Sequence, residues 1–384
     1  MYGLKKYTQL SRVLGDEWGL EATASSLPAR KIPVGEFKTT FSKVALDQLT
    51  CISIINQLRD TFQAKIYTIE FNHNKKPVEA AEVDDMLYLP ALHLQVWQNH
   101  IVPYEANADE DAFPTITIAI KENYFSSRHY ARPENTKTID DSVCIISNIF
   151  AHNFFHFIEE LYKVIILERL GFDGKYVLST MPSRLAECLP NFTLEFLTML
   201  GVKSERILYC NQPTIFRKAW FTTHICHAET LMYRDVFFEL RKILINHTST
   251  DCDGRGERIW VERKKSRRLL NADVIHACLR NHGFTIVDMA DLTVSEQISI
   301  VKQSEVLGGI HGAALIHSMF LKERSTVIEC FSPDYINPCI LEVCQILRHK
   351  YLQVVPTNTS IRPYRDALDL NLDQNLLETI LQGI

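Results

Sequence analysis

The 384-residue chain lacks the features that mark exported, membrane-spanning or disulfide-bonded proteins. Its start has no continuous apolar core of signal-peptide length, and no later segment reaches the roughly 18 uncharged apolar residues of a membrane span. The ten cysteines include no Cys-x-x-Cys pair, and a chain of this length has little need of disulfides. These absences predict a cytoplasmic protein with reduced thiols.

The chain also has little net charge and no internal repeat. Its formal net charge of −5 creates no positive field that would favour nucleic acid, so we expect no nucleic-acid partner. With 46% hydrophobic and 23% charged residues, the composition is that of a folded globular protein, and the length predicts two domains. Any anion site in such a chain has to be local.

Residues 1–140 have the weakest pattern. Short strand-like runs at 49–58, 64–71 and 115–120 alternate with polar, proline-bearing connections such as 72–85. The pattern predicts an α+β lead-in that is packed on, or part of, the domain that follows.

The rest of the chain alternates strands with helices over 141–247 and again over 256–364. Such alternation is typical of parallel βαβ units and predicts an α/β fold of two halves with a cleft between them. The polar, glycine-bearing stretch 248–258 is the best linker candidate. Residues 365–384 predict a C-terminal helix that can cross back to the N-terminal half.

The stretch EVLGGIHGAALIH, residues 305–317, predicts a buried strand followed by a helix from Ala313. Its glycines fall at the carboxyl end of the strand, where α/β folds bind ligands. Backbone N–H groups of the first helical turn attract anions, and Gly312 and Ala313 allow a phosphate to approach closely. The alternative is that the glycines only permit tight strand–helix packing and that His311 is a satisfied core histidine.

A second candidate follows the strand that ends at Glu262. Five cations in six positions suit a diphosphate, because guanidinium groups bind its oxygens in bidentate fashion. Asn271 then predicts a helix cap. A solvated charged loop is the alternative. The five cations are Arg263, Lys264, Lys265, Arg267 and Arg268.

A third candidate is the helix predicted over 152–165. His156 and Glu160 are four residues apart and share a helical face, which suits a general base. His152 and His156 have zinc-ligand spacing, but no third ligand is evident. The alternative is an ordinary amphipathic helix in which His156 forms a local hydrogen bond.

Glu329 ends the strand STVIEC, a position where a carboxylate can accept a hydrogen bond from a ribose hydroxyl. A carboxylate that simply caps the next loop is equally compatible with this position.

These stretches occur in an order that resembles glycosyltransferase family 61, over roughly residues 140 to 335. That family includes bacterial capsule and lipopolysaccharide transferases, plant xylosyl- and arabinosyltransferases, and eukaryotic protein O-linked N-acetylglucosaminyltransferases. The ordered set comprises NFFHFIEE at 153–160, Arg263, Arg267 and Asn271, LTVSEQ at 292–297, GGIHGAALIHSMFL at 308–321 and VIEC at 327–330.

The resemblance implies a GT-B fold of two facing Rossmann-like domains, with the acceptor domain at 141–247, the nucleotide-sugar domain at 256–364, and an inverting reaction. It implies that Glu160 or His156 removes the acceptor proton, with Asn153 and His152 on the acceptor side. The implied nucleotide-sugar-binding residues are Arg263, Arg267, Asn271, Gln297, His311, Gly312, Ala313 and Glu329.

The resemblance also implies partners and a setting. The expected donor is a UDP-sugar, and the expected acceptor is a glycan or lipid-linked glycan of surface polysaccharide biosynthesis, with peripheral association at the inner membrane face. Two cations and a helix end can replace a metal at the leaving diphosphate, so we expect no cofactor and no metal.

Two other classes of function compete with this reading. An NAD-type oxidoreductase is disfavoured, because no Gly-x-Gly-x-x-Gly follows a strand near residue 1 or residue 258. A non-catalytic nucleotide- or glycan-binding module is the other alternative.

Overall fold

A computed structural model describes most of the chain from residue 64 onward. The described ranges divide into two compact units, one within Thr50–Leu244 and the other within Ile245–Ile384. The division falls just before the linker predicted at 248–258, whereas the strand-like runs at 49–58 and 115–120 lie outside the described residues. The described ranges are 64–90, 94–97, 100–102, 136–147, 153–179, 189–225, 227–248, 256–264, 267–331, 339–354 and 369–384.

The N-terminal unit contains a mixed sheet of eight strands among its described residues. β5, β6, β7 and β8 run parallel in the order β8-β5-β6-β7, and β1 to β4 add antiparallel pairs beyond β8. The strands are β1 Lys65–Ile69, β2 Val78–Leu89, β3 Leu94–Trp97, β4 His100–Val102, β5 Lys137–Ile145, β6 Lys175–Ser179, β7 Ile207–Cys210 and β8 Thr214–Thr222.

The prediction of a polar connection at 72–85 is wrong, because β2 lies largely inside this range. At 12 residues it is the longest strand described, and it pairs with β1 and β3 on one side and β8 on the other. Its alanines Ala80 and Ala81 are fully buried. Residues 64–102 therefore belong to the same sheet as β5 to β8, and this sheet is not the parallel Rossmann-like sheet that was expected.

Helix α1, Phe154–Leu170, begins where the Asn153 side chain accepts a hydrogen bond from the Phe155 amide at 3.0 Å. It ends at Gly171, whose φ of 81° favours glycine. The helix packs with α2, Asn191–Met199, while α3, Arg234–Asn246, follows a 3-10 turn. None of the helices in the described ranges is long and apolar enough to cross a bilayer.

The C-terminal unit contains five parallel strands in the order β10-β9-β11-β12-β13. From β9 the chain moves outward to β10 and then returns to the opposite side of β9, so the order reverses between β9 and β11. Open α/β sheets bind ligands beyond the carboxyl ends of the strands at such a switch point. The strands are β9 Arg258–Val261, β10 Phe284–Val287, β11 Val306–Ile310, β12 Thr326–Cys330 and β13 Lys350–Val354.

The helices of this unit are α4 Ala272–Asn281, α5 Val294–Gln303, α6 Cys339–Ile346 and α7 Gln374–Gln382. The helix expected from Ala313 is a 3-10 helix, Ala313–Phe320. The C-terminal helix begins only at Gln374, and before it Leu370 forms a bridge to Leu269. Leu370 and Leu372 are buried in the core of the C-terminal unit, so the described tail packs on this unit.

Candidate functional site

The basic turn after β9 and the glycine turn after β11 meet at the switch point. Arg263 Nη1 donates to the His311 carbonyl at 3.3 Å. A Cβ added to Gly312 would lie 1.5 Å from that Nη1 and 2.8 Å from Cζ. Since the φ of Gly312 is 166°, an extended value open to any residue, the glycine is needed for space and not for backbone freedom. The Arg263 guanidinium therefore lies directly against the backbone of the glycine turn.

The two strand glycines of the same motif have a packing role. A Cβ on Gly308 would lie 2.8 Å from the Trp260 ring, and one on Gly309 would lie 3.1 Å from the Val261 carbonyl. For these two positions the packing alternative accounts for the glycine. Gly312 alone of the three makes room for a cation.

His311 belongs to a buried hydrogen-bonded chain. Its Nδ1 lies 2.6 Å from Glu329 Oε1, and the Tyr351 hydroxyl donates to Glu329 Oε2 at 2.5 Å. The imidazole also stacks on Phe331, with ring centroids 4.9 Å apart. Burial and the adjacent Glu329 carboxylate raise the pKa of Tyr351 well above its ordinary value, so the phenol stays protonated and donates.

Glu329 differs from its sequence assignment. Its side chain is fully buried and both carboxylate oxygens bond to protein groups. Contact between this carboxylate and a ribose hydroxyl would require the core to open. The geometry assigns Glu329 to His311 instead.

Two cations of the basic turn are neutralised by nearby acids. Lys264 Nζ lies 2.9 Å from Asp288 and 3.1 Å from Asp291. Arg268 Nη2 lies 2.6 Å from Asp369, and this guanidinium holds the pKa of the Asp369 carboxyl below its ordinary value. The positive charge available to a ligand is therefore smaller than the residue count predicts. Lys265 lies outside the described residues.

Arg267 adopts a backbone conformation unusual for a residue with a side chain. Its φ is 55°, in the left-handed region, and the residue is partly buried. Strained positions of this kind concentrate at functional sites. The expected contact between Arg267 and a diphosphate stays a prediction.

Asn271 and Gln297 hold loops in place. Asn271 precedes α4 without a side-chain cap bond, which corrects the predicted cap; its amide exchanges two hydrogen bonds with the Leu372 backbone, at 2.8 and 3.2 Å. Gln297 Nε2 donates to the carbonyls of Met289 and Leu292, at 2.8 and 2.9 Å. Their nucleotide contacts stay predictions.

On α1, the carboxylate next to His156 is Glu159, which the sequence analysis did not identify. His156 Nδ1 lies 3.0 Å from Glu159 Oε2, and the imidazole is 32% exposed. Side chains three apart on a helix are as close as those four apart, so spacing alone does not choose between Glu159 and Glu160. Asn153 caps the helix, and His152 lies outside the described residues.

Glu160 is fully buried beside Lys163, with Oε2 2.9 Å from Nζ. Lys163 also donates to the Ile145 carbonyl at 2.8 Å, at the end of β5. Burial raises the pKa of the neighbouring Cys144 thiol to about 12, with Lys163 opposing and Glu160 adding to that change. Glu160 and Lys163 thus form an ion pair within α1, and Lys163 also joins the helix to the end of β5.

Metal ligands are not grouped in the part of the chain that the structure describes: no three histidine, cysteine or acidic side chains come together there as a site.

Comparison with known proteins gives one family and two distant relatives. The profile of the family Glycosyltransferase 61 matches residues 150–328. The EGF domain-specific O-linked N-acetylglucosamine transferase of Xenopus laevis is 26% identical over 151 residues, which are 38% of this chain and 26% of that protein. Protein O-linked-mannose beta-1,4-N-acetylglucosaminyltransferase 2 of Homo sapiens is 25% identical over 139 residues, 33% of this chain and 24% of that protein.

This chain thus spans about a quarter of the length of the curated relatives it matches. The family match nevertheless includes α1, the basic turn and the glycine turn. The resemblance stated from the motifs is confirmed by this match. The chain thus resembles the Glycosyltransferase 61 family over residues 150–328, just under half of its length.

Proposed function

We propose that this protein is a glycosyltransferase that transfers a sugar from a UDP-sugar to a hydroxyl acceptor with inversion. The observation that carries the proposal is the Arg263 guanidinium lying on the His311–Gly312 turn, at the point where the order of the parallel strands reverses. That place joins a fixed cation to the backbone of the glycine turn at the usual ligand edge of such a sheet.

A leaving diphosphate gains negative charge as the bond to the sugar breaks. A guanidinium held in place before the reaction stabilises that charge without reorganising, which is the most effective form of electrostatic catalysis. Arg263 is the first candidate for this role, with Arg267 and the N–H groups of Gly312 and Ala313 as further donors. The proposal needs no divalent cation at the diphosphate.

The relatives suggest which sugar to test first. The names of both relatives describe transfer of N-acetylglucosamine, so we propose UDP-N-acetylglucosamine as the first donor. One name refers to an EGF domain and the other to an O-linked mannose, and a hydroxyl of a protein side chain or of a glycan fits the proposed chemistry. A lipid-linked acceptor, a role in capsule or lipopolysaccharide synthesis, and association with a membrane face stay predictions.

On the acceptor side, we assign removal of the hydroxyl proton to His156. Its imidazole is partly exposed and is oriented by Glu159, whereas Glu160 is fully buried against Lys163. An imidazole held by a carboxylate is a common general base. Glu160 is the other base candidate from the sequence. In this proposal its role is to hold α1 in position through its ion pair with Lys163.

The test is calorimetric binding of UDP and NAD to the full chain and to Arg263→Ala. We expect UDP to bind and Arg263→Ala to weaken it roughly 10- to 150-fold, because a charge-assisted hydrogen bond is worth about 1.5–3 kcal/mol. Lys264→Ala is the matched control: it also removes one cation of the turn, but that charge is already neutralised by Asp288 and Asp291. Equal UDP affinity in both variants, or preference for NAD, would contradict the proposal.

The same protein preparation is then assayed for hydrolysis of a panel of nucleotide sugars with and without EDTA. Slow hydrolysis of a UDP-sugar that survives EDTA is the expected result. UDP binding without hydrolysis or transfer of any sugar would instead favour a non-catalytic binding module.

A further inference from the structure

Three neighbouring strands of the C-terminal sheet contribute one residue each to a buried chain of hydrogen bonds. His311 follows β11, Glu329 lies in β12 and Tyr351 lies in β13. Tyr351 is opposite Val327 in the strand register, two residues before Glu329, so Tyr351 and Glu329 share one face of the sheet. The pairing of parallel strands therefore fixes the geometry of the chain.

In the part of the chain that the structure describes, the carboxylate between them is enclosed by protein groups. Glu329 is fully buried, and its two oxygens bond to the His311 imidazole and the Tyr351 hydroxyl. A buried carboxylate is stable only where donors satisfy it, and here both donors belong to the protein. Its influence on a bound molecule has to pass through one of these two partners.

Of its two partners, His311 is the one that also contacts the basic turn, where the diphosphate is proposed to bind. The amide of His311 donates to the Cys330 carbonyl at 2.8 Å, and its own carbonyl accepts from Arg263. The imidazole, held by Glu329 and stacked on Phe331, therefore orients the residue whose backbone holds the guanidinium.

We propose that Glu329 and Tyr351 are positioning residues that hold the His311 imidazole with its proton on Nδ1, and that they thereby order the Arg263–Gly312 turn for a diphosphate. The diphosphate part of this inference rests on the proposed function. The Nδ1 proton and the ring orientation do not, since they are properties of the protein without ligand.

Nitrogen NMR of histidine in the full chain, without nucleotide, tests the first part. We expect the His311 signal, assigned by its loss in His311→Asn, to report a proton on Nδ1. Tyr351→Phe should shift it, and Glu329→Gln should move the proton partly to Nε2. A His311 signal unchanged in both variants would overturn the inference, whatever nucleotide the protein binds.

Tyr176→Phe is the matched control for this experiment. Tyr176 also donates to a carboxylate, Glu168 Oε1 at 2.6 Å, but in the N-terminal unit. Loss of that hydroxyl should affect stability in a comparable way and leave the His311 signal where it is. A His311 shift in Tyr176→Phe would mean that the signal reports general loosening, and the inference would fail.

Binding of UDP and of 2′-deoxy-UDP separates positioning from direct contact. If Glu329 acts through His311, Glu329→Gln and Tyr351→Phe should weaken both nucleotides by the same factor, on the order of fivefold to tenfold. A loss confined to UDP would identify Glu329 as a ribose ligand and overturn the positioning role. Should Glu329→Gln fail to fold, Tyr351→Phe carries the same comparison, because it keeps the carboxylate.

Discussion

Two of the imidazole–carboxylate pairs among the described residues differ in construction. His311 and Glu329 are 18 residues apart and are brought together by adjacent strands, with both side chains buried. His156 and Glu159 are three residues apart on one helix, and the His156 imidazole is 32% exposed. A pair whose two side chains are buried beside the sheet can orient its surroundings, whereas a pair whose imidazole is partly exposed can meet a substrate. The first therefore suits positioning and the second suits proton transfer.

The largest expected effect on stability concerns the buried ion pair of α1, Glu160 and Lys163. Lys163→Met removes the cation from a fully buried Glu160, and breaking a buried pair costs about 3–5 kcal/mol. We expect a loss of that size in the free energy of unfolding, measured with denaturant. Adding Glu160→Leu should restore most of it, because two apolar side chains need no ionic partner. A double variant no more stable than Lys163→Met would show that the pair is not the cause.

Gly312→Ala tests whether Gly312 makes room for the Arg263 guanidinium in the C-terminal unit. Its methyl group would occupy the space of Arg263 Nη1, 1.5 Å away, so the guanidinium has to leave the turn. We expect UDP affinity to fall about as far as in Arg263→Ala, with a loss of roughly 1 kcal/mol or less in unfolding free energy, the value of one hydrogen bond. Calorimetry on the double variant is the check: fully additive losses would mean that Gly312 and Arg263 act separately.

Glu159→Gln has the smallest expected effect on stability, about 1 kcal/mol or less, because the amide keeps the shape of this buried side chain and only one hydrogen bond is weakened. Turnover should fall on the order of tenfold with UDP affinity unchanged, since the variant disturbs the orientation of His156 and not donor binding. Glu160→Gln, measured alongside, decides between the two carboxylates. Loss of turnover in Glu160→Gln alone would identify Glu160 as the base. It would also contradict the assignment of proton transfer to the His156–Glu159 pair.

The sequence predicted the C-terminal sheet well because its strands are apolar runs separated by clear helix periods. β9 to β13 all lie where periodicity placed them, and the meeting of Arg263 with Gly312 follows from their positions after adjacent strands. β2 was missed because alanine and acidic residues are poor strand formers. Its place in the sheet is set by its pairing with β1, β3 and β8, which local pattern does not contain.

The site was predictable in part for the same reason. Residues at strand ends were found, whereas Tyr351 was not, because it contacts Glu329 only once β12 and β13 pair. Charge counting overestimated the basic turn, since Asp288 and Asp369 neutralise two of its cations from distant positions in the chain. Helical spacing found His156 but could not choose its carboxylate.

The account depends most on a diphosphate binding where Arg263 meets the glycine turn. The most direct test is NMR of the full chain labelled at its 14 glycines and titrated with UDP, with Gly312 assigned through Gly312→Ala. We predict that the Gly312 amide is among the signals that move most, while Gly171 and Gly201 in the N-terminal unit stay still. A Gly312 signal that does not move at saturating UDP would contradict the account.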